Sequence, residues 1–227
     1  MSNELLFLLS ILLDISFVFF CARRGNDWLM ATIATNLILV GVLGAKLVTV
    51  FGLVTNVGNV FYACVFLAAH FLLERKDSSA DFKSLKIVRF GVAFMLFFIG
   101  LSQLTVHFSG LALSHDANSA MSSLFSFSLH TMFASIVAYI FAQHANLVIY
   151  EWLKKKTRGK HLWLRSNGAN LVSQLIDSLF FFSIAFFELP GPILIQTILV
   201  GWLFKTLVVV IGTPFLYLDH FLLKKKS

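Results

Sequence analysis

The sequence predicts an all-α polytopic membrane protein with a single transmembrane domain, residues 1–227, and about seven transmembrane helices. The first observation is composition. The chain of 227 residues is 58% hydrophobic and only 13% charged, whereas a soluble domain is about 45–50% apolar and about a quarter charged. The second is that apolar segments recur at about the 20-residue length that crosses a bilayer. The third is that basic residues gather in alternate connections between these segments.

Seven apolar segments are candidates for the membrane-spanning helices. The third is short, and the polar connection at 108–125 is expected to be a long outer loop. The predicted segments are 5–21, 28–50, 59–74, 87–107, 126–152, 166–187 and 193–218.

The basic residues predict the orientation. All of them except Lys46 and Lys205 fall after the first segment, between the third and fourth, between the fifth and sixth, or after the seventh. Basic residues mark cytoplasmic connections, so we expect the N-terminus outside and the C-terminus inside. Topology and contact with anionic lipid explain the net charge of +7, and no direct nucleic-acid partner is needed.

Polar residues inside the apolar segments are candidates for function. Such groups usually face the bundle interior and mark a substrate or ion path, although amides also join helices by hydrogen bonds. Lys205 and Asp177 lie near the middle of their segments, where a charge is least expected without a role. The other polar candidates include Asp14, Asn36, Lys46, His70, Gln103, His130, Gln143, His144, Asn146, Gln174 and Gln196.

An internal repeat singles out four of these residues. At an offset of 31 residues, Ala142-Gln143 matches Ser173-Gln174, and Asn146 matches Asp177. A spacing of three puts each glutamine and its partner on one helix face. The two segments form an antiparallel hairpin whose midpoint puts the two glutamines at similar depth. The prediction is a ladder of Asn146, two glutamines and Asp177 around one interior space, with the carboxylate needing a proton, a cation or a donor-rich ligand.

Several stretches resemble the queuosine precursor transporters, also called the vitamin-uptake-transporter-like family. The most specific is KKKTRGKHLWLRSNGANLVSQLIDSLFF at 154–181. Supporting stretches are NLILVGVLGAKLVTVFG at 36–52, TNVGNVF at 55–61, AYIFAQHAN at 138–146, and Lys205 followed by TPFLYL at 213–218. The sequence departs from the family at His70, Asn146 and Gly212, where the family often has acidic residues.

The resemblance implies import of 7-deazaguanine bases, the precursors of the tRNA base queuosine, across the cytoplasmic (inner) membrane. It also implies a compact six-helix core, to which this chain adds an N-terminal helix. We infer that Asp177 accepts from the ring N–H and exocyclic amine of a guanine-like edge, while Gln143 or Gln174 donates to the carbonyl. An aromatic ring such as Phe61 or Phe181 would stack on the base.

The sequence thus gives a set of candidate substrate-binding residues, with no catalytic residue, cofactor or metal expected. His70 is interpreted either as a protonation switch or as a hydrogen-bonded histidine within the membrane. The set is Gln143, Asn146, Gln174, Asp177, Lys205, Asn59, Phe61 and His70.

Alternatives to a self-sufficient transporter remain open at this point. The chain can also be interpreted as the substrate-binding subunit of a vitamin-type transporter that needs a separate energising partner. An intramembrane enzyme is disfavoured because H-E-x-x-H and G-x-S-x-G motifs do not occur. A purely structural membrane protein would not need Asp177 and Lys205. The sequence leaves a homo-oligomer open.

Overall fold

The computed structural model describes residues 2–44, 46–75, 80–107, 115–125 and 129–224. Within these ranges the chain forms eight helices and one two-stranded hairpin. In chain order the elements are α1 (Asn3–Arg24), α2 (Asn26–Leu43), β1 (Leu47–Val50), β2 (Leu53–Asn56), α3 (Gly58–Leu73), α4 (Ala80–Val106), α5 (His115–Phe125), α6 (Leu129–Lys156), α7 (Leu162–Ala185) and α8 (Gly191–Lys224).

The helices confirm the predicted class of an all-α polytopic membrane protein. Among the described residues, six helices are long and apolar enough to cross a membrane: α1, α2, α4, α6, α7 and α8. Their outer faces carry exposed leucines and phenylalanines, such as Leu13 and Phe97, which suit contact with lipid tails. A helix can span a bilayer because it satisfies its backbone hydrogen bonds internally.

The short third helix lies at the centre of the bundle. Helix α3 has only 16 residues, and nearly all of its side chains are buried. It packs against α1, α2, α4, α6 and α8. Because protein surrounds α3, its ends do not have to match the thickness of the bilayer. The prediction of a short third segment is therefore confirmed, and its position explains the length.

The predicted second span, 28–50, is wrong in its last third. Helix α2 ends at Leu43, and residues 47–50 form β1, which pairs with β2 in an antiparallel hairpin. Valine and threonine dominate these strands and favour extended backbone. Phe51 and Gly52 both have positive φ, 50° and 75°, as a two-residue type I′ turn requires. Lys46 is exposed between α2 and β1 rather than inside a helix.

The connection at 108–125 is also more ordered than predicted, because residues 115–125 form the amphipathic helix α5. Its remaining part, 108–114, lies outside the described residues. In α5, Asp116 occupies the first turn, where a carboxylate interacts favourably with the helix dipole.

The two ends of the bundle differ in chemistry. At one end, Asp219 on α8 lies 3.5 Å from Arg23 at the end of α1 and 4.0 Å from Arg75 after α3. Basic residues from separate connections therefore meet at one end, as the alternation in the sequence predicts. At the other end, the hairpin contacts the start of α1: the side chain of Asn3 donates to the Thr49 carbonyl at 3.0 Å, and Glu4 accepts from the Phe51 amide at 3.2 Å.

Candidate functional site

Polar side chains line the facing surfaces of α3, α6 and α7 and continue to one residue of α8. On α6 and α7 they recur every three or four residues, so they share one face of each helix. Together they form what is called here the polar column: Tyr62 and His70 on α3, Gln143 and Asn146 on α6, Asn170, Gln174 and Asp177 on α7, and Lys205 on α8. Every one of these side chains is buried.

Asp177 holds one end of the column, where it contacts two donors from other helices. One carboxylate oxygen accepts from the Tyr62 hydroxyl at 2.5 Å. The other accepts from the ammonium group of Lys205, which also lies 3.4 Å from the Ser178 hydroxyl. Lys205 therefore supplies the cation that a buried carboxylate needs. The two charges predicted to be functional are partners, and they join α7 to α8 while Tyr62 joins both to α3.

His70 organises the middle of the column. Its Nε2 lies 3.1 Å from Oδ1 of Asn146, and its Nδ1 lies 3.0 Å from the Ser166 hydroxyl and 3.3 Å from Nδ2 of Asn170. An amide oxygen only accepts and an amide nitrogen only donates. These partners therefore fit a neutral ring in which Nε2 donates and Nδ1 accepts. Of the two interpretations of His70, the contacts match the hydrogen-bonded histidine.

Gln143 and Gln174 lie between these two levels. Gln143 is 13 residues before the end of α6 and Gln174 is 12 residues after the start of α7. Two contacts between α6 and α7 lie on either side of the glutamines along the helices. Phe141 stacks on Phe180 at 4.8 Å between ring centroids, and further along, Tyr150 lies 3.4 Å from Nε of Arg165. The helices are therefore in the register that puts the two glutamines at similar depth.

The amide groups at this level have hydrogen-bonding capacity that the described protein does not fill. Within the described ranges, both amide atoms of Gln143 and both of Gln174 are buried without a hydrogen-bond partner, as are Nδ2 of Asn146 and Oδ1 of Asn170. Leaving a buried polar group unpaired costs about 1–3 kcal/mol. In native proteins such groups bind ordered water or a ligand. The column therefore combines donors and acceptors at adjacent levels of the bundle interior.

A charged cluster continues the same face of α3 beyond His70. Glu74 accepts from Nη2 of Arg165 at 2.7 Å and from the Tyr150 hydroxyl at 2.7 Å, and it lies 3.3 Å from Nζ of Lys154. Burial acts to raise the pKa of the Glu74 carboxyl, but the positive charges of Lys154 and Arg165 outweigh it and hold the pKa below its usual value. This cluster ties α3, α6 and α7 together at the basic end of the bundle.

Two of the predicted site residues, Asn59 and Phe61, lie in the first turns of α3. Asn59 donates from its side chain to the Thr55 hydroxyl at 3.0 Å and from its backbone to Oδ1 of Asn56 at 2.9 Å. It therefore holds the hairpin against α3. Phe61 is half-buried, and its neighbour in the chain, Tyr62, is the aromatic residue that reaches Asp177. The structure does not test a role in binding for either.

Sequence reasoning missed three residues of this region: Tyr62, Ser166 and Asn170. A signal for them was present. Ser166, Asn170 and Gln174 follow one another at intervals of four, so they extend the stripe that ends at Asp177. Tyr62 precedes His70 by eight residues, which is also about a whole number of helical turns.

Comparison with known proteins identifies the family of this chain. Residues 56–218 match the profile of the family described as "Putative vitamin uptake transporter". The chain is also 30% identical over 194 residues to a Bacillus subtilis (strain 168) protein named "Probable queuosine precursor transporter", covering 82% of this chain and 79% of that protein. No solved structure matches the chain significantly. The matched region contains the whole polar column. The chain therefore belongs to the vitamin uptake transporter family and is a multi-pass membrane transporter for a small-molecule substrate.

Proposed function

We propose that the chain imports queuosine precursors, which are 7-deazaguanine bases, across the cytoplasmic membrane, and that the polar column is the substrate-binding site. The observation that carries this proposal is the level of Gln143 and Gln174, where four buried amide atoms have no hydrogen-bond partner among the residues that the structure describes. The name of the Bacillus subtilis relative gives the substrate class.

The chemistry of the column suits a guanine-like edge. Such an edge presents a carbonyl acceptor next to a ring N–H and an exocyclic amine. The amides of Gln143 and Gln174 each offer donors and an acceptor. Asp177 accepts one hydrogen bond at each oxygen in this structure. Each carboxylate oxygen has a second lone pair that can accept another hydrogen bond. Tyr62 and Phe66, whose rings are 5.3 Å apart, supply aromatic surface beside these groups.

The proposed orientation is N-terminus outside and C-terminus inside. The gathering of Arg23, Arg75, Lys154 and Arg165 at one end of the bundle supports it, because basic residues mark the cytoplasmic side. The hairpin then faces outside. The site alternates between access from the hairpin end and access from the basic end, and the chain does this without a separate energising partner.

Queuosine formation in cells tests the proposed substrate. The chain is expressed in a bacterium that cannot make queuosine, a 7-deazaguanine base is supplied at low concentration, and queuosine is measured in tRNA. Wild type should restore queuosine. Gln143→Met and Gln174→Met remove the amides with little change of length, and each should lower the yield about tenfold or more, equivalent to about 1.4 kcal/mol.

The matched control is Gln196→Met, on an exposed position of α8, which should transport normally. Asp177→Asn should abolish restoration because it removes the carboxylate acceptor. If wild type fails to restore queuosine whichever precursor base is supplied, the substrate assignment is wrong. If both glutamine variants match the control, the column is not the binding site.

A further inference from the structure

We propose that Asp14 is a proton-binding site inside the membrane, separate from the polar column, and that uptake of the substrate is coupled to the gain and loss of a proton there. The inference rests on the proposed function and adds to it the source of energy for uptake. Asp14 lies on α1, outside residues 56–218, which match the family profile. The observations behind the inference are the depth of Asp14, its partners and its contact with α3.

Asp14 is buried near the middle of a membrane-spanning helix. It lies 11 residues after the start of α1 at Asn3 and 10 residues before its end at Arg24, which is about 15 Å from either end at a rise of 1.5 Å per residue. The residue is 7% exposed. An acidic side chain at this depth usually marks the path of a proton, an ion or a substrate.

Asp14 differs from the other buried carboxylates in its partners. In the described ranges of the chain, no basic side chain lies within 4.0 Å of its carboxylate oxygens. The side chains of Glu74, Asp177 and Asp219 are also buried, and they contact Arg165, Lys205 and Arg23, respectively. An isolated ionised carboxylate bears a large desolvation cost, and such a group takes up a proton instead.

The partners of Asp14 are neutral groups that fit both of its charge states. Nδ2 of Asn36 on α2 lies 3.2 Å from each carboxylate oxygen, and the thiol of Cys64 on α3 hydrogen-bonds the same group. The amide N–H donates to a carboxylate oxygen or to the carbonyl oxygen of a carboxylic acid. A thiol is both a weak donor and a weak acceptor. These contacts can therefore hold Asp14 with and without its proton.

The other titratable groups around α1 have different surroundings. Helix α1 packs against α2, α3, α8 and β1, and β1 has no titratable residue. The remaining titratable residues of these elements are Glu4, Arg23 and Arg24 at the ends of α1, Asp27 exposed in the first turn of α2, Tyr62 and His70 in contact with the polar column, Lys205 in contact with Asp177, and those from Tyr217 onward at the basic end of α8. Asp14 and Cys64 are therefore the titratable groups at the contact of α1 with α2 and α3.

Helix α3 connects Asp14 to the polar column. Cys64 contacts Asp14 on α1, whereas Tyr62, two residues earlier, donates to Asp177 on α7 at 2.5 Å. Residues two apart are separated by about 200° around a helix axis, so α3 is held from nearly opposite sides. A change of charge at Asp14 alters the contacts on one side of this helix. The same helix supplies Tyr62 and His70 to the column, so protonation can bias its movement.

The proposed cycle moves one proton with each molecule of base. The carboxylate of Asp14 takes up a proton while the column is open to the outside, becomes a carboxylic acid, and releases the proton while the column is open to the inside. With the membrane potential held at zero, a tenfold proton gradient is equivalent to about 1.4 kcal/mol. It can therefore accumulate an uncharged base up to about tenfold.

Two measurements on liposomes containing only the purified protein test the coupling. The first is exchange of radiolabelled 7-deazaguanine outside for unlabelled base inside at equal pH, which reports movement of the substrate alone. The second is accumulation of the labelled base under an acid-outside gradient of about one pH unit, with potassium and valinomycin holding the potential at zero. Wild type should exchange the base, and the gradient should accumulate it about fivefold or more.

Asp14→Asn removes the titratable group and keeps its shape. It should exchange the base within about threefold of the wild-type rate but should not accumulate it under the gradient. The control is Asp27→Asn, at an exposed position in the first turn of α2, which should accumulate the base like wild type.

Infrared difference spectra between acid and neutral pH report the proton directly. Wild type should show a carboxylic acid band that Asp14→Asn lacks, and the absence of such a difference would overturn the inference. Accumulation by Asp14→Asn that equals wild type would also overturn it, as would a variant that neither exchanges nor accumulates the base, since Asp14 would then support the movement itself. Wild type that exchanges without responding to the gradient overturns the inference and leaves the proposed function intact. If wild type does not exchange the base, the proposed function fails.

Discussion

Lys205 on α8 donates a hydrogen bond to Asp177 on α7 in the interior of the bundle, and the Tyr62 hydroxyl on α3 binds the other oxygen of the same carboxylate at 2.5 Å. Three helices therefore meet at one charge pair. Removing one partner of a buried charge pair strongly destabilises the fold, because the remaining charge is left uncompensated.

The first prediction concerns this pair. Lys205→Met should lower the free energy of unfolding by about 3–5 kcal/mol, since it leaves Asp177 buried without its cation. The double variant Lys205→Met/Asp177→Asn should recover most of that stability but should not recover transport. Thermal unfolding in detergent micelles measures the first effect, with Lys155→Met at an exposed position as the control. Equal unfolding temperatures for the single and double variants would show that the two residues are not coupled.

The second prediction concerns orientation. Phe51 is at the hairpin tip and is 65% exposed, whereas the native cysteines Cys21 and Cys64 are buried. An impermeant maleimide added to whole cells should therefore label Phe51→Cys. Lys155→Cys, at the exposed basic end, should be labelled only after the cells are permeabilised. If Lys155→Cys were labelled in intact cells and Phe51→Cys only after permeabilisation, the proposed topology would be wrong.

The third prediction concerns Glu74. Its pKa in the folded protein is below the usual 4.5, so its ion pairs stabilise the fold above about pH 4.5, and that stabilisation is lost as the pH falls through the lower folded value. Glu74→Gln should unfold at a lower temperature than wild type at pH 7, and the difference should shrink in acid. The control is Glu188→Gln, at an exposed position. A difference that stays constant down to pH 3 would contradict this account.

Much of the fold was predictable because membrane spans are long and their connections are marked by charge. The hairpin was not, since the apolar run continues from α2 through Val48 and Val50 and hydropathy alone does not separate a strand from a helix. Gly44, where α2 ends, and the Phe51-Gly52 turn were the available signals. Both are weak in a segment that already has the length of a span.

The part of the candidate site that lies on α6 and α7 was predictable from the sequence. The repeat brought out Gln143, Asn146, Gln174 and Asp177 because sequence spacing fixes which residues share a helix face. The partners of Asp177 and Asn146 lie on other helices. That Tyr62 binds Asp177, or that His70 binds Asn146, depends on how α3 packs between α6, α7 and α8, and no local pattern encodes that packing.

Uptake of a radiolabelled 7-deazaguanine by liposomes that contain only the purified protein tests the central claim most directly. Wild type should accumulate the base faster than empty liposomes, and excess unlabelled base should block the uptake. Gln143→Met and Gln174→Met should each reduce the initial rate about tenfold or more at low substrate concentration, and Gln196→Met should not. Uptake by wild type that equals empty liposomes, or glutamine variants that transport like Gln196→Met, would contradict the account.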